Sequence, residues 1–351
     1  MQVWGESHGA GLGVVVDGLP PGMPVDESAI QQELDLRRPG TSGLVTPRTE
    51  PDTLQVMSGV LNGKTTGAPV HLSIKNRDVD SAAYMDRLSI PRPGHADLTA
   101  MLKYRGHHDP RGGGHFSGRL TAAIVMAGAL VRPILGKHGI EIGSHLVQVG
   151  TITSEASVTM EEIHDCTNAG MLACVPEGTR ALMEEEIRRA SDANDSVGAV
   201  IECVAQGLPA GIGEPLFEKL DAMLSHAIMS IPGTKGIAFG AGFDIASMRG
   251  SVANDPIVMQ GGRATMETNN AGGVLGGIST GMPLVFRVAM KPTPSIGREQ
   301  RTVNLSQGTE TVIEMGGRHD PCIGVRAVPV VTNMTAFVLA DLLMGATHGR
   351  Y

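Results

Sequence analysis

The chain has 351 residues, 41% apolar and 18% charged, with a formal net charge of −8, enough for a sizeable core and of ordinary globular composition. The acidic balance argues against generic nucleic-acid binding, no apolar run approaches the roughly 18 residues of a membrane span, and the N-terminus lacks a basic-then-apolar signal pattern. Cys166, Cys174, Cys203 and Cys322 form no Cys-x-x-Cys pair and no zinc spacing, which points to free thiols in a reducing cytoplasm.

In chain order, the first signal is GESHGAGLG (Gly5–Gly13), which fits G-x-S-x-G around Ser7. A hydrolase nucleophile elbow needs a strand before the serine and a helix after it. Only Met1 to Trp4 precede it, and a β-branched strand, Gly13–Val16, follows. Three readings stay open: an elbow, a glycine-rich turn without chemistry, and a loop that brings Ser7 and His8 against an anionic ligand.

A helix is predicted at Glu27–Arg37, ending in RRPG, where two guanidiniums either cap the negative helix end or clamp a phosphate or carboxylate. Strands are predicted at Thr53–Leu61 and Pro69–Ile74. PRPGHADLT then sets His95 in a Pro-Gly turn. In the run Lys103–Leu130, five basic or histidine positions precede three consecutive glycines, followed by Ser117 as an N-cap candidate and a helix predicted at Ser117–Leu130. A glycine-rich loop entering a helix is a ready anion site. A metal at His107, His108 and His115 lacks supporting carboxylate or cysteine spacing, and one RGG copy in an acidic chain is a poor RNA signal.

Further along, helices are predicted at Glu177–Ala193, Leu216–Met229 and Met334–Met344, and strands at Gly198–Ala205, Phe239–Ile245, Leu284–Val288 and Thr311–Met315. ETNNAGGVLGGISTGMPL (Glu267–Leu284) reads as a loop pressed against a flat ligand. KPTPS (Lys291–Ser295) is an extended, preorganised loop. GGRHDPCIGVRAVP places Arg318, His319 and Asp320 ahead of the last helix. Glycine, 47 residues, is nearly double its ordinary share, and its clusters suggest a ligand cradled by main-chain N–H groups.

Gly13–Gly43 has a cousin in Ala199–Gly236: an apolar strand, a GLP-x-G turn, an amphipathic helix, then PGT-x-G or its near copy. Strands and helices do not alternate strictly, so antiparallel sheets with packed helices fit better than a doubly wound sheet. The expectation is an α+β fold: one domain over residues 1–351, built of two related halves about a pseudo-two-fold.

Together GESHG, DGLPPG, RRPGTS, RPGHAD, GGGHFSGRLTA, NNAGGVLGGIS, KPTPS and GRHDPC, in this order, resemble the chorismate synthase family over essentially the whole chain. The resemblance implies a β-α-β sandwich, with helices between two antiparallel sheets, assembling as a homotetramer. It implies a lyase that eliminates phosphate and a ring hydrogen from 5-enolpyruvylshikimate 3-phosphate, with reduced FMN as cofactor and the protein supplying orientation and electrostatics. Carried onto this sequence, it makes His8, beside Ser7, the acid for the departing phosphate. His95 stands near the flavin, and Asp320 and Ser117 relay the proton. Arg37, Arg119 and Arg318 neutralise substrate anions, Arg318 also at the flavin. His115, Phe116, Ser117, Gly276 and Lys291, Pro292, Thr293, Pro294 and Ser295 match flavin-contacting segments. Metal, membrane and nucleic acid are not implied.

The chain departs from the family pattern at three places. It starts almost at GESHG, where members usually have another strand. His115 and Phe116 stand where many members have arginine and a second serine. Pro232 and Gly233 stand where many have Asn-Ala. In addition, Gly43 stands where many members have an arginine suited to a nucleotide phosphate, with Arg48 nearby, so NADPH is expected only as an indirect or external reductant, with a separate flavin reductase as the expected partner.

Overall fold

Four antiparallel strands carry the first catalytic candidates: β1 (Gln2–Gly5), β2 (Gly11–Val16), β3 (Gln55–Ser58) and β4 (Val70–Lys75), in the order β1-β2-β4-β3. This computed structural model describes residues 1–38, 44–45, 50–77, 79, 81, 88–155, 158–168, 172–174, 176–315 and 319–348. Leu12, Val14 and Val16 alternate toward the core and pair with Ile74, Leu72 and Val70, so one sheet face is apolar by the two-residue period. The stretch ahead of GESHG is itself the edge strand β1, largely exposed, consistent with its being too short for a central one.

The second sheet runs β8-β9-β7-β5-β6, all antiparallel, from β5 (Glu141–Val149), β6 (Ile152–Thr153), β7 (Ala199–Gln206), β8 (Thr234–Phe239) and β9 (Leu284–Met290). Here too alternate residues are buried, with Cys203 opposite Phe286 and Ile201 opposite Val288.

Helix α1 (Glu27–Arg37) has the predicted bounds, because the Asp26 carboxylate accepts from the Ser28 and Ala29 N–H groups and Ile30 and Leu34 turn inward. The others are α2 (Asp97–Tyr104), α3 (Thr121–Gly136), α4 (Met160–Asn168), α5 (Glu177–Asp192), α6 (Leu220–Met229) and α7 (Gly324–His348). Helix α3 rests on β2 and β4, α7 rests on β5 and β7, and the two helices pack against each other. Gly128 of α3 makes this possible: a Cβ there would lie 2.5 Å from Asn333 Cα. The result is an α+β molecule with one connected apolar core.

Several elements differ from expectation, among them Thr53–Leu61, which Gly59 at a φ of 80° breaks into β3 and a short strand Val60–Leu61. The predicted strand Phe239–Ile245 is instead the end of β8 followed by a 3₁₀ turn, Gly242–Ser247, because Gly240 and Gly242 take positive φ. The helix expected from Ser117 opens with a 3₁₀ turn, Gly118–Leu120, and α3 then runs on to Gly136. Leu216 has a φ of 65°, which holds it outside α6. Helix α7 begins ten residues before the predicted Met334. By length and composition, Gly118–Gly136 and Gly324–Ala346 are apolar enough to cross a membrane, contrary to the sequence reading, yet 78% of each window is buried inside the fold. Their apolarity serves the core.

Candidate active site

One cavity of about 1210 Å³ opens where segments of both sheets' connections meet; its wall includes His8, Arg37, Glu50, Arg92, His95, much of the stretch between Gly106 and Thr121, Met229–Thr234, Met290, Lys291, Thr293, Pro294, Ser295 and Arg326. It exceeds the ~300–1,000 Å³ typical of a single small-ligand pocket, so there is room for two small molecules.

The GESHG loop is the turn between β1 and β2. Gly5 has a φ of 105° with Leu12 against its Cα, so the chain can reverse only without a side chain there. The Ser7 N–H donates to the Gly114 carbonyl at 3.1 Å, tying this loop to the glycine run. Gly112, Gly113 and Gly114 all have positive φ. Gly112 lies against the His8 ring: a Cβ there would fall 2.5 Å from Nε2 and 2.8 Å from Ser7 Oγ. His8 lines the cavity, and its Nδ1 is 2.9 Å from Ser81 Oγ. Ser7 Oγ is buried without a hydrogen-bond partner among the described residues and is not on the cavity wall. A strand follows it and no base among the described residues bonds to it, so the hydrolase elbow has no support here.

Arg37 and Arg119 form a buried clamp. At the end of α1, Arg37 is 2% exposed; its guanidinium donates to Thr121 Oγ1 at 3.0 Å, Asp52 Oδ2 at 3.1 Å and the Gly118 carbonyl at 3.3 Å. Arg119 donates from Nη1 to the other Asp52 oxygen and from Nε to Asn76 Oδ1 at 3.1 Å. Its Nη2 is buried without a hydrogen bond to any described residue, 3.7 Å from Glu50. Burial and the neighbouring Arg326 guanidinium lower Arg37 to about 9, while the Asp52 charge works the other way; it remains a cation at neutral pH. Asp52 holds both arginines from a backbone φ of 43°, rare for a non-glycine residue. Arg326 extends the cluster, donating to the Arg37 carbonyl at 3.0 Å and to Asp320 at 2.8 Å.

His95 sits in a second cluster. Arg92 and Asp97 close the RPGHAD turn with a forked pair, Nε–Oδ2 at 2.7 Å and Nη2–Oδ1 at 2.8 Å. Burial pushes Asp97 up, but the Arg92 hydrogen bonds and charge outweigh it and hold the carboxyl below its usual range. His95 Nδ1–H donates to the Pro93 carbonyl at 3.0 Å, so Nε2 accepts from the Ser295 hydroxyl at 2.7 Å. Burial first, then the Arg92 charge, lower His95 to about 4, and the ring is neutral. Lys291 Nζ donates to the Gly94 carbonyl at 2.6 Å, and burial lowers its pKa. Thr293 Oγ1, in the wall, is buried without a hydrogen-bond partner among the described residues.

The structure thus gathers His8, Arg37, His95, His115, Phe116, Ser117, Arg119, Lys291, Thr293, Pro294, Ser295 and Asp320 around one cavity, with Pro232 and Gly233. Ser117 Oγ accepts from the Arg119 N–H at 3.2 Å, capping the 3₁₀ turn. Pro292 and Gly276 are not on the wall; Gly276 is the exposed tip of the hairpin Val274–Ser279, where its φ of 62° forms the turn. Arg318, Gly43 and Arg48 lie outside the described residues. No three His, Cys, Asp or Glu side chains among the described residues are grouped to hold a metal ion.

The sequence reading missed Glu50, Asp52, Asn76 and Arg326. Glu50, Asp52 and Asn76 stand far from their partners, so no local pattern marks them; Arg326 lies only six residues from Asp320, but its bond to the Arg37 carbonyl spans most of the chain. The Arg92–Asp97 pair had a readable signal, since its members flank His95 within six residues.

Comparison with known proteins follows the same outline. A family model described as chorismate synthase matches residues 1–344. The chain is 48% identical over 344 residues to a chorismate synthase of Methanocella arvoryzae, covering 98% of this chain and 92% of that protein. It is 47% identical over 343 residues to one of Thermococcus kodakarensis, covering 98% and 95%. A crystal structure of chorismate synthase superposes with a TM-score of 0.76 at 29% identity, covering all of this chain and 93% of that one.

Proposed function

The chain belongs to the chorismate synthase family and is a lyase, and on that premise we propose that it converts 5-enolpyruvylshikimate 3-phosphate into chorismate, in the shikimate route to aromatic amino acids. The carrying observation is one cavity wall that combines the Arg37–Arg119 clamp with His8 and a neutral His95. The C–O bond to phosphate and a ring C–H bond break, a C=C bond forms, and there is no net redox change.

The wall fits a flavin beside the substrate: the volume admits two ligands, and the buried Thr293 hydroxyl lacks a partner among the described residues. His115, Phe116, Ser117, Lys291, Thr293, Pro294 and Ser295 would hold FMN; Arg318 stays assigned to it and to substrate by resemblance alone. When bound in reduced form, FMN supplies transient electron density that lets a non-acidic ring hydrogen leave. Arg37 and Arg119 hold the substrate's anionic groups in a fixed field. His8 donates the proton that neutralises the departing phosphate. His95 adds no charge beside the ring, and Asp320 and Ser117 carry a proton away.

The architecture supports the sandwich of related halves. The first sheet takes its strands in chain order first-second-fourth-third, with α1 between the second and third and α3 after the fourth. Set β6 aside, and β5, β7, β8 and β9 follow the same order, with α6 and α7 in the matching places. The exposed Phe217, Phe243, Ile257 and Met259 support assembly as a homotetramer. Four free, buried cysteines support a reducing, cytoplasmic setting.

Anaerobic assay of phosphate release with chemically reduced FMN tests the reading. Release of phosphate and chorismate only with reduced flavin is expected; flavin binding without release would make this a binding module. With NADPH in place of dithionite the flavin stays oxidised, because Gly43 offers no side-chain donor to a nucleotide phosphate, even with Arg48 nearby in sequence, and reductant comes from outside, through a separate flavin reductase. Rapid bleaching by NADPH alone would overturn that part.

A further inference from the structure

We propose that Asn76 is a positioning residue that locks the His8 loop and Arg119 into one register. It follows β4 directly, and its backbone N–H donates to the Ala10 carbonyl at 3.3 Å. The pairing of Gly11 with Lys75 therefore brings it beside the turn between β1 and β2. Its side-chain Nδ2 donates to the Glu6 and Gly9 carbonyls, both at 2.9 Å, which bracket Ser7 and His8. Its Oδ1 accepts from Arg119 Nε at 3.1 Å.

The amide's orientation is unambiguous. Carbonyls only accept and a guanidinium only donates, so flipping the amide would break all three bonds. No other side chain of this size offers two donors and an acceptor in this layout. Asn76 does not line the cavity, so it acts through the groups it holds. Moving a reacting group by about 1 Å costs on the order of 100-fold in rate; Ser7 N–H to the Gly114 carbonyl and His8 Nδ1 to Ser81 Oγ hold the middle of the loop, while Asn76 joins the carbonyls at its two ends, Glu6 and Gly9, to Arg119.

The inference rests on His8 as proton donor and Arg119 as substrate clamp. Asn76→Asp separates the two arms: it is isosteric, keeps an acceptor for Arg119, and sets a carboxylate oxygen against the loop carbonyls. The test is steady-state kinetics with reduced FMN on Asn76→Asp, Asn76→Ala, His8→Ala, Arg119→Ala and Asn76→Ala/His8→Ala, with melting temperatures alongside. Asn76→Asp should lose about 10–100-fold in kcat with KM within about threefold. Asn76→Ala should lose similar kcat and raise KM by about 3–10-fold. The double variant should be no slower than His8→Ala alone, because both changes disable one proton transfer. Near-parental kcat and KM in both Asn76 variants, with His8→Ala and Arg119→Ala impaired, overturn the brace. Normal kinetics in His8→Ala and Arg119→Ala overturn the site assignment and the brace with it. A loss confined to melting temperature overturns it as well. Asn76→Asp decides the matter alone where Asn76→Ala does not fold.

Discussion

The two polar clusters of the cavity wall solve opposite problems. Around Arg37 and Arg119 the fold keeps charge in a buried place by meeting each guanidinium with a carboxylate or a carbonyl. Around His95 it keeps charge low: the ring is neutral and Arg92 is matched by Asp97, which leaves Lys291, donating to a carbonyl, as a cation beside them. The first cluster offers fixed cations that need no rearrangement when an anion arrives. The second offers a nearly uncharged bed of hydroxyls, carbonyls and apolar side chains such as Met290 and Ile323. A phosphorylated, carboxylated substrate suits one, and a flat ring suits the other.

Four changes would break or sharpen this contrast. The largest effect is expected from Asp52→Ala, which leaves two buried guanidiniums facing each other; removing one partner of a buried ion pair costs about 3–5 kcal/mol. Urea unfolding measures it, and a loss under about 1 kcal/mol would show that Glu50 alone suffices as counter-charge. Next, Arg119→Ala should weaken substrate binding by the roughly 1.5–3 kcal/mol of a charge-assisted bond, with a smaller change in kcat. Unchanged affinity by calorimetry would reduce Arg119 to a structural role.

A third, smaller effect appears in the pH dependence. Between 6.5, its ordinary value, and about 4, its value here, the unfolded chain binds a proton on His95 that the folded chain refuses. The His95 contribution to stability is therefore fully present above pH 6.5 and is lost as pH falls toward 4. His95→Asn should flatten the stability slope in that window, and the parent ring should show no NMR titration between pH 5.5 and 8. A midpoint near 6.5 would mean the site is wet and the cluster is not neutral. The smallest effect is Thr293→Val. Deleting an unpartnered buried hydroxyl should leave stability unchanged or higher, while FMN affinity falls about 3–10-fold. Equal affinity would remove Thr293 from the flavin contacts.

What the sequence made legible follows from how local each cause is. Helix α1 was readable because its cap, its apolar spacing and its Arg-Pro-Gly exit are all neighbours. Strand β5 was missed: EIGSHLVQV sets Ser144 and His145 where alternation wants apolar residues, and both are buried by partners far along the chain, Thr332 and Glu202. The start of α7 was hidden by Pro329 and Arg326, although Asn333 and Thr332 bond back to the carbonyls of Pro329 and Val328. In the site, glycine turns and histidines announced themselves. Asp52 and Asn76 did not, because what makes them special is who stands opposite them.

Gly128 has a consequence beyond helix packing. The cavity takes His8, His95 and Arg119 from the first half of the chain, and Lys291, Ser295 and Arg326 from the second. Helices α3 and α7 are where the two halves bear on each other, and at Gly128 the distance between them is the thickness of bare backbone. That one missing methyl acts as a feeler gauge for the packing of α3 on α7: it sets the gap between the helix that follows the Arg119 turn and the helix that carries Arg326.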